Sequence, residues 1–152
     1  MHRNAVAFSR LLPTLLVTSA AFFVQLSPAP FAMEFPRQGR PDIPNGVAEP
    51  FSGLWWIGFP EGKGIINGAP VVDCSAAVEL VPQDGGTLLY RSSSGSQVQF
   101  ELLEFGGRTT WLPENGESII AVWINVDEFF AYSVDLGTGS ARWDNPLVYR
   151  RC

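Results

Sequence analysis

Ser118-Ile119-Ile120-Ala121-Val122-Trp123-Ile124-Asn125-Val126, then Asp127-Glu128, then Phe129-Phe130-Ala131-Tyr132-Ser133-Val134-Asp135-Leu136, decides the fold. Val, Ile, Phe, Tyr and Trp dominate the stretch, and it contains neither Gly nor Pro. Such residues favour a pleated, half-buried backbone, so the stretch reads as two strands joined by a polar turn. Successive strand side chains point to opposite faces. Ile120, Val122, Ile124 and Val126 therefore share one face, and Ile119, Ala121 and Trp123 the other. Phe130, Tyr132, Val134 and Leu136 likewise oppose Phe129, Ala131, Ser133 and Asp135. The hairpin is apolar on both faces over part of its length, unlike a half-solvated antiparallel sheet. Either something covers the second face, or that face binds a partner or ligand.

Outward from this hairpin, the chain reads as many short strands separated by turns. Expected strands are 51–59, 71–81, 87–91, 97–105 and 108–112 before the hairpin, and 140–143 and 147–150 after it. Gln83-Asp84-Gly85-Gly86, Ser92-Ser93-Ser94-Gly95 and Pro113-Glu114-Asn115-Gly116 punctuate them. The Leu102-Leu103 pair breaks the alternation and suggests a bulge. No helical periodicity is visible after residue 33. The expected fold is all-β, a small antiparallel barrel of about seven to nine strands or a sandwich.

The domain, 51–152, is preceded by two other segments. Residues 1–32 read as a secretory signal: Arg3 and Arg10 precede an apolar run from Leu11 to Val24. Two cuts compete, after Ser27-Pro28-Ala29 and after Pro30-Phe31-Ala32. The other reading is an uncleaved anchor, but the run contains Pro13 and is short of the ~20 residues a span needs. No stable membrane span is expected after processing. Residues 33–50 carry Pro36, Pro41, Pro44 and Pro50 and form a Pro-rich linker, or an arm lying over the domain.

All 15 acidic residues lie after residue 32, with eight of the ten basic ones, so the processed chain carries a net charge of −7. That excludes the electrostatic footprint of a nucleic-acid binder. Cys74 and Cys152 are the only cysteines. An even count in an exported chain argues for one disulfide between them. The expected location is extracytoplasmic, periplasmic or secreted.

The single histidine, His2, lies in the signal. The rest of the chain has no imidazole for a Ser-His-Asp or Cys-His system, nor the usual His or multi-Cys metal ligands. Glu61-Gly62-Lys63-Gly64 lacks the spacing of a phosphate-binding loop. No cofactor or metal is implied. Glu101, Glu104, Asp127, Glu128, Asp135 and Asp144 keep a carboxylate enzyme open as an alternative. The aromatic residues carry the other readings. In Trp55-Trp56 and Phe129-Phe130, neighbours must face opposite ways. One of each pair fills the core; the other is covered by the arm or a strand end, or forms a binding face. The candidate binding residues are Trp55, Trp56, Trp123, Phe129, Phe130, Tyr132 and Arg142.

Gly53-Leu54-Trp55 resembles the G-x-W that opens the first strand of lipocalins and related calycin-like barrels. Asp127 to Tyr132 resembles their later T-D-x-x-Y loop, shifted by one residue and with Val126 in place of Thr. Arg142 stands where a late arginine crosses the opening Trp. Cys74 with Cys152 resembles their mid-chain to C-terminal disulfide. The resemblance implies a barrel that binds a small apolar molecule, or, as in compact exported inhibitors, an extracytoplasmic protein. The expected function is thus an exported non-enzymatic binding module. The alternative is an envelope structural or assembly protein that packs, as a homodimer for example, through an exposed aromatic face.

Overall fold

A computed structural model describes residues 35–60, 65–66 and 69–152. Residues 1–32, read above as a secretory signal, lie outside them. The strands are β1 (Gly53–Gly58), β2 (Ile65–Ile66), β3 (Ala69–Pro70), β4 (Val78–Gln83), β5 (Thr87–Arg91), β6 (Gln97–Glu104), β7 (Thr109–Pro113), β8 (Ile119–Asn125), β9 (Glu128–Ser133) and β10 (Leu147–Arg151). Two 3-10 turns, Glu49–Phe51 and Cys74–Ala76, precede β1 and β4. Eight strands close into an antiparallel barrel in the order β1-β10-β9-β8-β7-β6-β5-β4, while β2 and β3 pair only with each other. Closure leaves the barrel no free sheet edge to manage. β1 is the closing strand: Trp55 lies opposite both Val78 of β4 and Arg151 of β10.

Alternation decides what fills the barrel. Trp55, Val78, Leu80, Leu88, Phe100, Leu102, Trp111, Ala121, Trp123, Phe129, Ala131 and Tyr149 point inward and are buried. In the β8–β9 hairpin, Val122 lies opposite Phe130 and Trp123 opposite Phe129. One pair faces out and the other in, as the two-faced pattern requires. Outer-face Val122 and Tyr132 are nonetheless fully buried. The cover is the Pro-rich arm. Phe35 packs edge-on against Phe130, with ring centroids 6.0 Å apart. The Tyr132 hydroxyl donates to the Pro36 carbonyl at 2.6 Å. The Arg40 amide donates to the Trp123 carbonyl at 3.2 Å, on the side of β8 where β7 pairing has ended at Ala121.

The arm then turns under the barrel and seals one end. Ile43, Ala48 and Phe51 are buried in the same core as the strand residues. The Gly46 amide donates to the Thr109 hydroxyl at 2.9 Å. Gly46 has φ +74°, and a Cβ there would meet Glu104 at 2.7 Å, so the chain passes only as glycine. The core therefore begins within the arm, eight residues before residue 51. At the opposite end β1 leaves the barrel at Gly58, and the connection from β9 to β10 lies there too.

Three local expectations change. The second strand begins at Val78, because Asp73 accepts the Ser75 amide at 2.9 Å and caps a 3-10 turn instead. Leu102-Leu103 is no bulge: pairing runs unbroken from Phe100 to Glu104, with Leu102 inward and Leu103 exposed. The register shift lies between Trp123 and Asn125, where the Asn125 side chain accepts the Asp127 amide. Residues 140–143 form no strand, only a Val134–Ala141 bridge. Asp135 draws the amides of Gly137 and Thr138 into a turn that competes with ladder pairing.

Candidate functional site

The barrel is filled rather than hollow. Phe51, Trp55, Phe100, Trp111, Trp123, Phe129 and Tyr149 form one connected cluster of rings. Phe129 is its hub, 4.6 Å from Tyr149, 4.9 Å from Trp55, 5.0 Å from Trp123 and 5.2 Å from Phe51. Trp111 joins through Phe51 at 5.1 Å and Phe100 at 5.4 Å. Each such pair adds about 0.5–1.5 kcal/mol beyond its area burial, so this cluster stabilises rather than receives. The Trp55 indole donates to the Phe51 carbonyl at 2.7 Å. The indole N–H groups of Trp111 and Trp123 have no hydrogen-bond partner among the described residues. Burial raises the Tyr149 hydroxyl far above its ordinary pKa, which keeps it neutral among the rings.

Four of the seven candidate binding residues are therefore buried: Trp55, Trp123 and Phe129 in the core, and Tyr132 beneath the arm. Trp56 and Phe130 are half-buried on the outer face. Arg142 is exposed and lies near Asp135 (3.4 Å) and Glu117 (3.6 Å). The arginine on the opening tryptophan is Arg151, whose guanidinium sits 4.3 Å from the Trp55 centroid. Arg142 lies in the β9–β10 connection, whereas Arg151 ends the strand that pairs with β1. Cys74 and Cys152 form the disulfide, with Cα atoms 5.9 Å apart. Because β1 lies between β4 and β10, the bridge straddles the closing strand. The Cys152 amide donates to the Leu54 carbonyl of β1 at 2.8 Å. A disulfide accords with an oxidising, extracytoplasmic compartment.

Among the described residues, further concave surface lies outside the barrel. A cleft of about 640 Å³ is lined by Phe35, Trp56, Ile57, Gly58, Phe59, Pro60, Asp144, Asn145 and Pro146. The sequence places each wall. Trp56 points outward from β1 because Trp55 points inward. Its indole lies across Gly58 so closely that a Cβ at Gly58 would collide with the ring. Arg150 stacks over Trp56 at 5.5 Å while paired with Glu128 at 2.7 Å. Phe59, where β1 ends, is 63 % exposed. A larger hollow of about 700 Å³ follows arm residues Pro36 to Asp42, but its one aromatic wall, Trp123, is itself buried. At the open end of the barrel, Glu117, Ile119, Ala131, Ser133, Asn145 and Leu147 line a pocket of only about 240 Å³.

The carboxylates are dispersed. Asp127 pairs with Arg151, Glu128 with Arg150, and Asp135 accepts from Thr138 and Arg142. Glu101 and Glu104 are exposed on β6, and the Glu104 carboxylate accepts the Gly107 amide. Hydrogen bonds from the Thr138 backbone and hydroxyl hold the Asp135 carboxyl below its ordinary pKa. Among the described residues, no three His, Cys, Asp or Glu side chains gather as a metal site would need. Sequence reasoning missed Phe35 and Phe59 as cleft walls and Arg151 as the partner of Trp55. Only the position of Phe59 next to the Gly58 that ends β1 hinted at its exposure. No family model, curated protein or solved structure matches this chain.

Proposed function

We propose that this chain is an exported, non-enzymatic binding module whose ligand is another extracytoplasmic protein, docked on the aromatic cleft at Phe35, Trp56 and Phe59. On this reading residues 1–32 direct export. The barrel is of lipocalin-like, calycin type, with Gly53-Leu54-Trp55 opening β1 and Arg151 across Trp55. The observation that carries the proposal is the filled interior. Seven rings occupy the volume where a hollow barrel holds an apolar molecule, while half-buried and exposed aromatics converge outside it. Exposed Trp and Phe beside a concave surface are the residue types that anchor protein partners. The pairing of Asp127, Glu128 and Asp135 with local donors weighs against the carboxylate enzyme. Packing through the same aromatic face remains the structural alternative.

A photoreactive residue in place of Phe59 tests the proposal in the native envelope or culture fluid. One at Val126, equally exposed but on the sealed end, is the control. The expected result is a discrete cross-linked polypeptide from position 59 alone. Cross-linking to a second copy of this chain would favour the structural alternative, and equal or absent capture at both positions would contradict the proposal.

A further inference from the structure

Phe35, Pro36 and Arg37 of the arm occupy an aromatic groove as a ligand does. The groove is built on the outer face of the β9 side of the barrel: Phe130 and Tyr132 alternate outward from β9, and Trp143 comes from the connection to β10. The Trp143 and Tyr132 rings lie 4.7 Å apart. Into this groove run Phe35, Pro36 and Arg37. Phe35 meets Phe130 edge-on, the Pro36 carbonyl accepts the Tyr132 hydroxyl, and the Arg37 guanidinium lies 5.6 Å from the Trp143 centroid. Burial raises the Tyr132 hydroxyl to a pKa of about 12, so it stays a donor throughout the neutral range.

Three features mark this as recognition of a segment rather than as core packing. Pro36 has a fixed φ and no amide donor, and it biases Phe35 toward an extended backbone. Aromatic grooves take proline-containing segments for that reason: the extended segment is pre-organised, and a ring-borne donor reads its carbonyl. Among the described residues, the first backbone-to-backbone bond from the arm to the barrel is that of Arg40. Phe35 to Arg37 are therefore held only by barrel side chains, through two side-chain contacts and the Pro36 carbonyl, which another segment of the same chemistry can supply. Finally, the sealing residues Ile43, Ala48 and Phe51 follow Arg40, so the barrel end stays closed whether or not the groove is occupied.

We infer that the Phe130–Tyr132–Trp143 groove is a recognition site for an extended aromatic-Pro-Arg segment of a partner protein, and that Phe35-Pro36-Arg37 is its resident ligand in cis. Displacement uncovers the groove and, because Phe35 also lines the cleft beside Trp56, opens the two into one surface. The inference rests on the protein-binding reading above and names the partner's chemistry. A tethered segment competes at an effective concentration on the order of millimolar, so the resident arm holds off weak competitors.

The test uses a labelled peptide with the sequence of Glu34 to Asp42, followed by fluorescence anisotropy on the full exported chain. The comparison protein carries Phe35→Ser, Pro36→Ser and Arg37→Ser, with near-UV circular dichroism confirming that the barrel core is intact. The expected result is binding at least tenfold tighter to this variant than to the parent, with a fivefold or greater loss when Tyr132→Phe is added. Equal binding to both folded proteins, or equal binding of a peptide with both prolines replaced by alanine, would overturn the inference. So would a parent dimer that the triple variant loses, which would assign the groove to the arm of a second copy. The two readings fail separately: photo-capture at position 59 reports the cleft, whereas the Tyr132-dependent peptide affinity reports the groove, so partner capture can fail while peptide binding persists.

Discussion

Arg151 lies over the ring of Trp55, its guanidinium 4.3 Å from the centroid, and clasps the sealed end of the barrel from that position. It donates to the carbonyls of Ser52 (2.6 Å), Pro50 (3.0 Å) and Val126 (3.0 Å) and pairs with Asp127 (3.1 Å). One side chain thus joins the end of the arm, the closing strand and the β8–β9 turn. Arg151→Ala is expected to cost about 3 kcal/mol, since hydrogen bonds from a charged donor contribute roughly 1.5–3 kcal/mol each and the bonded carbonyls can turn in part to water. Arg151→Lys recovers little of this, because an ammonium cannot span three carbonyls in one plane. Urea unfolding of the three proteins checks both statements.

The Cys74–Cys152 bridge closes a loop of 78 residues around the closing strand. Chain entropy puts its contribution at about 4.5 kcal/mol, an upper figure where the reduced chain keeps residual structure. Cys74→Ser with Cys152→Ser is expected to lower the urea midpoint accordingly while leaving the far-ultraviolet spectrum of the folded state unchanged. An unchanged midpoint would mean that β1 stays paired to β4 and β10 without the bridge.

Stability is expected to fall at alkaline pH through the tyrosines. Burial raises Tyr132 from its ordinary value of 10 to about 12, and raises Tyr90 and Tyr149 as well. The folded state keeps protons that the unfolded chain has lost, so this contribution is complete below pH 10 and disappears as pH rises through the folded values. The slope is at most about 1.4 kcal/mol per pH unit for each tyrosine. Tyr132→Phe should flatten the fall between pH 10 and 12, and should cost about 1 kcal/mol at neutral pH through the lost Pro36 hydrogen bond. Urea midpoints from pH 7 to 12 provide the measurement.

Gly58→Ala tests how the cleft is shaped. The added methyl must push the half-buried Trp56 indole off the strand and so reshape the cleft it lines. The expected result is a small loss of stability, about 1 kcal/mol, with a clear change in tryptophan fluorescence and loss of partner capture at the cleft. Capture at the parent level would remove Trp56 from the docking surface.

The all-β class and the central hairpin were legible because Val122/Phe130 and Trp123/Phe129 alternate with a period of two. The two-faced apolar pattern left two readings, a cover or a binding face, and the arm covers Tyr132. What was not legible depends on contacts far apart in sequence. Arg142 and Arg151 both follow β9, and only the barrel's closure decides which one reaches Trp55. Trp55 and Trp56 show the same limit. Alternation says that they diverge, but not that seven rings pack the interior and leave the concave surface outside. Phe35 carries no local signal, because its role depends on Phe130, 95 residues away in the chain.

Native mass spectrometry of the protein purified from its native source tests the central claim most directly. A filled barrel that binds through its outer face should give the mass of the chain two hydrogens light at Cys74 and Cys152, alone or with a second polypeptide. An additional mass of a few hundred daltons, retained in the native spectrum and lost on denaturation, would place a small ligand in the protein and contradict the account.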